Sequence, residues 1–258
     1  MHKFKCFLIN LDKDQDRLTF MNLELKRIGL EYSRQPAVYG KMLTEKEVSA
    51  LYDYEYSGNN NLGNMNLGEI GCALSHRSVY EKIIREDIDY TLVLEDDVLL
   101  PDNFKEVVGE VISLNQASDS WDYLSFDYYA YGFSFVKLWV PGVLKILKSK
   151  DTLLRKIVFS LAILSKSPFV MCVSFHEEIQ KLFFKNNPVT PIRPIYFAGA
   201  YIVTKAGAKK LLSVHDKIIY IADRLPNVAI KERGLRFKIY TPLVVRQLKE
   251  RFVSNLSN

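Results

Sequence analysis

Residues 93–100 read VLEDDVLL, three consecutive carboxylates inside an apolar run. A strand of Val and Leu reads as buried, and buried acids must be paired, protonated or coordinated. No Lys or Arg lies between Asp87 and Asp102, so no cation nearby in sequence answers these charges. The fold must bring something to them from elsewhere.

The surrounding pattern says what kind of fold that is. Residues 4–11 (FKCFLINL) read as a first buried strand, and residues 12–28 as a helix with Leu18, Met21, Leu25 and Ile28 spaced three or four apart, stopped at Gly29. Residues 31–38 form a weaker second strand. Residues 53–66, dense in Asn and Gly, read as a loop, and residues 67–87 as a helix with Ile70, Leu74, Tyr80 and Ile83 on one face. A third strand over 90–94 delivers the acids at its end. A helix over 101–114, with Pro101 in its first turn, and a fourth strand over 121–126 follow. After a break the pattern returns: strand 195–204, helix 205–212, the IIYIAD stretch 218–223 leading to another helix, and a closing apolar stretch 237–245. Strands alternating with helices predict an α/β fold with a parallel sheet that carries ligands at its carboxyl edge.

The break is residues 133–190. Within it, residues 137–185 hold nine basic residues against three acids, a local charge that exceeds the +5 of the whole 258-residue chain. Residues 157–175 are almost wholly apolar, but Lys166 and Pro168 interrupt them, which argues against a spanning helix. Two readings stay open: a segment resting on an anionic membrane surface, or a helical insertion covering the sheet. The division is therefore residues 1–132 and 191–258 as two parts of one core, with 133–190 inserted. The modest net charge does not suggest nucleic acid. Three scattered cysteines form neither a disulfide framework nor a zinc motif, and the first residues lack a signal-peptide pattern. These features lead us to expect a cytoplasmic protein.

In extended geometry residues two apart share a face, so Glu95 and Asp97 are expected to converge on one cation while Asp96 points away. Oxygen ligands of this kind suit Mn²⁺ or Mg²⁺, either of which can bridge to a diphosphate. A turn with solvated acids is the commoner origin of adjacent carboxylates. Their place among buried aliphatics, at the carboxyl edge, favours the metal.

Four stretches in order, INLDKDQDR (9–17), LGEIGCALSHRSVYEKII (67–84), LVLEDDVLL (92–100) and GAYIVTKAGAKKLL (199–212) with the later Ala222-Asp223 pair, resemble glycosyltransferase family 25. The resemblance covers most of the chain outside 133–190. It implies a GT-A-like, Rossmann-related nucleotide-sugar-binding fold with a mainly helical insertion. It also implies transfer of a sugar from a UDP-sugar to a growing glycan, with the EDD acids as the family's metal-binding motif. Tyr39, in AVYG, stands where the family usually shows Asp.

On this resemblance Asn10 and Arg17 are candidate contacts to the uridine or its phosphates. His76 is a candidate for positioning the phosphates or the acidic loop; the alternative is an ordinary packed histidine. Gly68 and Gly71 permit close backbone approach. Asp223 is the candidate general base for an inverting transfer, the alternative being a helix N-cap, and Asp127 in SFDYY is the reserve. The expected activity is hexose transfer, with galactose in β-1,4 linkage first, from UDP-galactose to a lipid-linked oligosaccharide of the lipooligosaccharide class. The expected site is the cytoplasmic face of the inner membrane. The alternatives are a UDP-glucose or UDP-N-acetylhexosamine transferase on the same scaffold, and a non-catalytic membrane- or glycan-binding module.

Overall fold

A computed structural model describes residues 2–59, 64–127, 187–189, 196, 198–241 and 243–248. Strand β1 (Phe4–Asn10) shows why a sheet forms here: its side chains alternate between two cores. Cys6 and Leu8 pack with Met21 and Leu25 of helix α1 (Gln15–Arg27), whereas Phe7 and Ile9 pack with residues of a later helix on the opposite face. After α1, Gly29 adopts a φ of 64°, which lets the chain reverse into β2 (Ser33–Pro36).

A short 3-10 turn (Gly40–Met42) leads to α2 (Glu45–Leu51), where Thr44 and Glu47 cap each other's backbone N–H groups. That T-x-x-E pattern is legible in the sequence. The stretch 53–66, expected as a loop, contains helix α3 (Tyr54–Asn59), because Asp53 Oδ1 accepts the Tyr56 N–H at 2.9 Å and starts a turn. Helix α4 (Leu67–Arg85) opens on a second reciprocal cap, between Asn66 and Glu69. Its face of Val79, Tyr80 and Ile83 fills the core against Phe7 and Ile9.

Strand β3 (Tyr90–Glu95) pairs parallel with β1, placing Glu95 beside Ile9. The chain then turns at Asp96 and Asp97 into β4 (Val98–Leu99). Helix α5 (Phe104–Ser118) begins later than expected: the Pro101 carbonyl accepts the Phe104 N–H, so Pro101 belongs to the preceding turn. Strands β5 (Tyr123–Ser125), β6 (Asn187–Val189) and β7 (Ala200–Thr204) follow. Helix α6 (Lys205–Leu212) is capped by the Thr204 hydroxyl, and α7 (Leu225–Arg233) is closed by Gly234 at φ 60°. Strands β8 (Phe237–Thr241) and β9 (Arg246–Gln247) end the described chain.

The main sheet has the order β2-β1-β3-β7-β5-β8-β6. Strands β1, β2, β3, β5 and β8 run one way, and β7 and β6 run against them. The sheet is thus mixed and mostly parallel rather than wholly parallel. Helices α1 and α5 cover one face, and α4, α6 and α7 cover the other. A second, two-stranded ribbon joins β4 to β9. Of the segment 133–190, only 187–189 are described, and they already belong to the main sheet. The apolar stretch 157–175 and the tyrosines after Asp127 lie outside the described residues.

Candidate active site

From β1 the chain goes to β2 on one side and, through α4, to β3 on the other. The crevice where strand order reverses is the usual ligand position in such sheets. A cleft of about 520 Å³ opens there, at the carboxyl ends of β1 and β3. The start of β7 reaches the same edge because that strand runs the opposite way.

The wall formed by α4 is fixed by backbone contact. A Cβ at Gly40 would lie 1.6 Å from the Leu67 carbonyl oxygen, and one at Gly71 would lie 2.5 Å from the Val38 oxygen. Gly71 therefore serves helix-to-loop packing, while Gly68 lines the cleft. Tyr39 lines it too, with the Lys13 ammonium 4.4 Å from its ring centre.

The middle acid has a distant cation. Asp96 is buried; its Oδ1 accepts from Arg17 Nη1 at 2.9 Å and its Oδ2 from Asn10 Nδ2 at 2.7 Å. The extended geometry expected to put Glu95 and Asp97 on one face stops at Glu95, where the chain turns, and Asp96 meets Arg17 instead. Burial raises the Asp96 carboxyl against the pull of these two donors. Asn10 and Arg17 both line the cleft, engaged with Asp96. Removing one member of a buried ion pair strands the other. Arg17→Ala is accordingly expected to destabilise the protein by about 3 kcal/mol in urea unfolding, with Asp96→Asn in the same background recovering most of the loss.

The flanking acids are held less completely. Asp97 Oδ1 is buried without a hydrogen bond, and its Oδ2 lies 3.7 Å from Arg17. Burial, with the Glu95 charge next in weight, lifts the Asp97 carboxyl to about 7. Glu95 Oε1 meets His76 Nε2 at 3.1 Å and Cys72 Sγ at 3.9 Å. His76 is buried, and its Nδ1 lies 2.8 Å from the Tyr201 hydroxyl, which donates onward to Tyr80. His76 is thus a packed, hydrogen-bonded histidine that also touches the first acid of the loop.

Asp223 also lines the cleft. Its Oδ1 is buried without a partner, and burial followed by repulsion from Glu95 raises its carboxyl. The N-cap alternative does not hold. The cap position of α7 is Arg224, and no side chain caps that helix. Asp127 is otherwise occupied: its two carboxylate oxygens accept the N–H groups of Gly199 and Ala200 at 3.0 and 3.1 Å, tying β5 to β7. Burial raises it to about 7 even so.

Sequence reading missed Glu69, Cys72, Tyr201 and Gln247. Cys72 and His76 stand four apart on one helix, a spacing that could have been noticed. Tyr201 sits in a plain apolar strand, and Gln247 reaches the cleft from β9, neither with any local signal.

Together the cleft holds five acids (Glu69, Glu95, Asp96, Asp97 and Asp223) against one arginine. Surplus negative charge at the switch point of a mostly parallel sheet is compatible with the Rossmann-like folds of sugar-transferring enzymes. The chain belongs to glycosyltransferase family 25, described as LPS biosynthesis protein, whose profile matches residues 3–226. Human procollagen galactosyltransferase 2 is 33% identical over 126 residues, 46% of this chain and 20% of its own length. Glycosyltransferase 25 family members of Anopheles gambiae and Drosophila melanogaster are 32% and 34% identical over 126 and 124 residues. In each case the match covers 46% of this chain and about a fifth of the relative.

Proposed function

We propose that this protein transfers galactose from UDP-galactose to a lipid-linked oligosaccharide of the lipooligosaccharide class, with inversion and in β-1,4 linkage. The observation that carries the reading is the cleft, where Asp97 and Asp223 keep buried carboxylate oxygens without partners beside further negative charge. The relative named procollagen galactosyltransferase supports galactose as the sugar, and the family's description supports the acceptor class.

In this reading the sheet is the GT-A variant, and Glu95 and Asp97 hold Mn²⁺ or Mg²⁺. Their hard oxygen donors and unmet charge fit such an ion. When bound, it supplies positive charge against the departing diphosphate. Asp96 fixes Arg17, and with it Asn10, at the donor end of the cleft. His76, braced by Tyr201, fixes the Glu95 carboxylate. Asp223 Oδ1 accepts the proton of the attacking hydroxyl, and the raised affinity of that carboxyl for a proton suits the task.

A donor panel tests the reading. Purified protein is expected to turn over UDP-galactose in preference to UDP-glucose and UDP-N-acetylglucosamine. Lipooligosaccharide should accelerate the reaction, and excess EDTA should stop it until Mn²⁺ is restored. Turnover of UDP-glucose or UDP-N-acetylglucosamine in preference would move the protein to the alternative donors. No turnover of any donor would make it a binding module.

We further place the protein on the cytoplasmic membrane face, supported by the basic and apolar composition of residues 137–185. Among the described residues no helix is long and apolar enough to cross a membrane. Surface attraction contributes on the order of 1 kcal/mol per basic residue close to anionic lipid and weakens with salt. Co-sedimentation with anionic vesicles, release by salt, and loss on replacing Lys145, Lys148, Lys150, Arg155 and Lys156 with Gln are the expected results. Binding indifferent to salt and to these substitutions would remove the membrane from the proposal.

A further inference from the structure

Cys72 and His76 stand one turn apart on α4, so their side chains leave the same face of the helix. Glu95 meets them from the end of β3. One ligand atom from each of the three lies within 4.8 Å of the others. Glu95 Oε1 is 3.1 Å from His76 Nε2 and 3.9 Å from Cys72 Sγ. Bonds of about 2.0–2.3 Å to a tetrahedral zinc ion set its donor atoms roughly 3.3–3.8 Å apart. The two separations from Glu95 fall just either side of that range, and the Cys72 and His76 donor atoms lie within 4.8 Å of each other, so side-chain adjustment brings the three to an ion.

We propose that Cys72, His76 and Glu95 form a binding site for a borderline-soft divalent cation of the zinc class. Sulfur, imidazole nitrogen and a single carboxylate suit zinc or cobalt far better than magnesium or manganese. The second layer of such a site is already built. The Tyr201 hydroxyl, 2.8 Å from His76 Nδ1, orients the ring so that Nε2 faces Glu95, and Tyr80 holds Tyr201 in turn. A fixed partner on the non-ligating nitrogen is the usual companion of a metal-bound histidine. Three protein ligands at the wall of an open cleft leave a fourth position for water or an added ligand.

The site shares Glu95 with the oxygen-only pair proposed for Mn²⁺ or Mg²⁺. Zinc bound here withdraws that carboxylate and so opposes the harder ion. The opposition rests on the proposed transfer chemistry; the zinc site itself does not.

Cobalt(II) added to the metal-free protein reads the site without any sugar transfer. One equivalent is expected to give the near-ultraviolet band of a thiolate–cobalt bond with visible bands of tetrahedral intensity, and zinc should displace it. Cys72→Ser should abolish the near-ultraviolet band, while a Cys6→Ser/Cys172→Ser protein keeps it. Tyr201→Phe should weaken zinc binding by roughly 10-fold, as loss of an outer-layer partner does. Far-ultraviolet circular dichroism checks that each variant is folded. A folded wild type with no such band, or a band that survives Cys72→Ser, overturns the proposal. A band from a protein that turns over no sugar nucleotide would leave the zinc site standing and bring down the transfer reading alone.

Discussion

Asp97→Asn protein is expected to fold, to melt higher than wild type at pH 8, and to transfer no sugar above background. The two halves of that result have one cause. Asp97 is buried beside Glu95 with an unpartnered oxygen, and its carboxyl is lifted to about 7. An unfolded aspartate titrates near about 4. The folded protein therefore holds this proton more tightly than the unfolded chain, and stability falls as pH rises from about 4 to about 7. Asparagine removes the decline, so the gain should appear at pH 8 and vanish near pH 4. If the same charge holds the cation, its loss lowers turnover by roughly 10²–10³-fold or more. Melting with and without Mn²⁺ separates the effects: the ion should stabilise wild type but not the variant. A variant that melts lower at pH 8, or one that retains full activity, contradicts this account of Asp97.

Asp223→Asn should lower kcat by roughly 10²–10⁴-fold, the range for loss of a general base, with little change in the KM for donor. Asp223 has no capping bond to lose, and its Oδ1 is already unpartnered. The melting temperature should therefore hold or rise. The pH profile gives an independent check. The basic form of a raised carboxylate dominates only above its shifted value, so the acid limb of kcat/KM in wild type should lie above the ordinary carboxylate range and disappear in the variant. Near-normal turnover with a lowered melting temperature would assign Asp223 a structural role.

Much of this arrangement could be read from the chain. The apolar runs marked β1, β3 and β7, the 3.6-residue spacing marked α1 and α4, and the acids fell at a strand end as expected. The unread parts share a reason: each depends on residues far apart in sequence or on a local turn. Arg17 and Asp96 lie 79 positions apart, and nothing in either neighbourhood announces the other. Treating Glu95 to Asp97 as extended missed the turn that sends Asp96 toward Arg17 and leaves Asp97 without a hydrogen bond at Oδ1. The reversed direction of β7 is a matter of pairing with β3 and β5, and no periodicity encodes it. The T-x-x-E start of α2 was present in the sequence and simply passed over.

Strand β5 runs with β1 and β3, and β6 runs against them. Residue 127 therefore leaves the sheet, and residue 187 rejoins it, at the very rim where the cleft opens. A stretch that departs and returns at one rim behaves as a graft point. Because both of its ends lie on one edge, no strand must change register to admit a different length. Lineages can thus exchange this stretch while Asn10, Glu95 and α4 stay in place. An engineer can make the same exchange by cutting at two points on a single edge, with one strand between them.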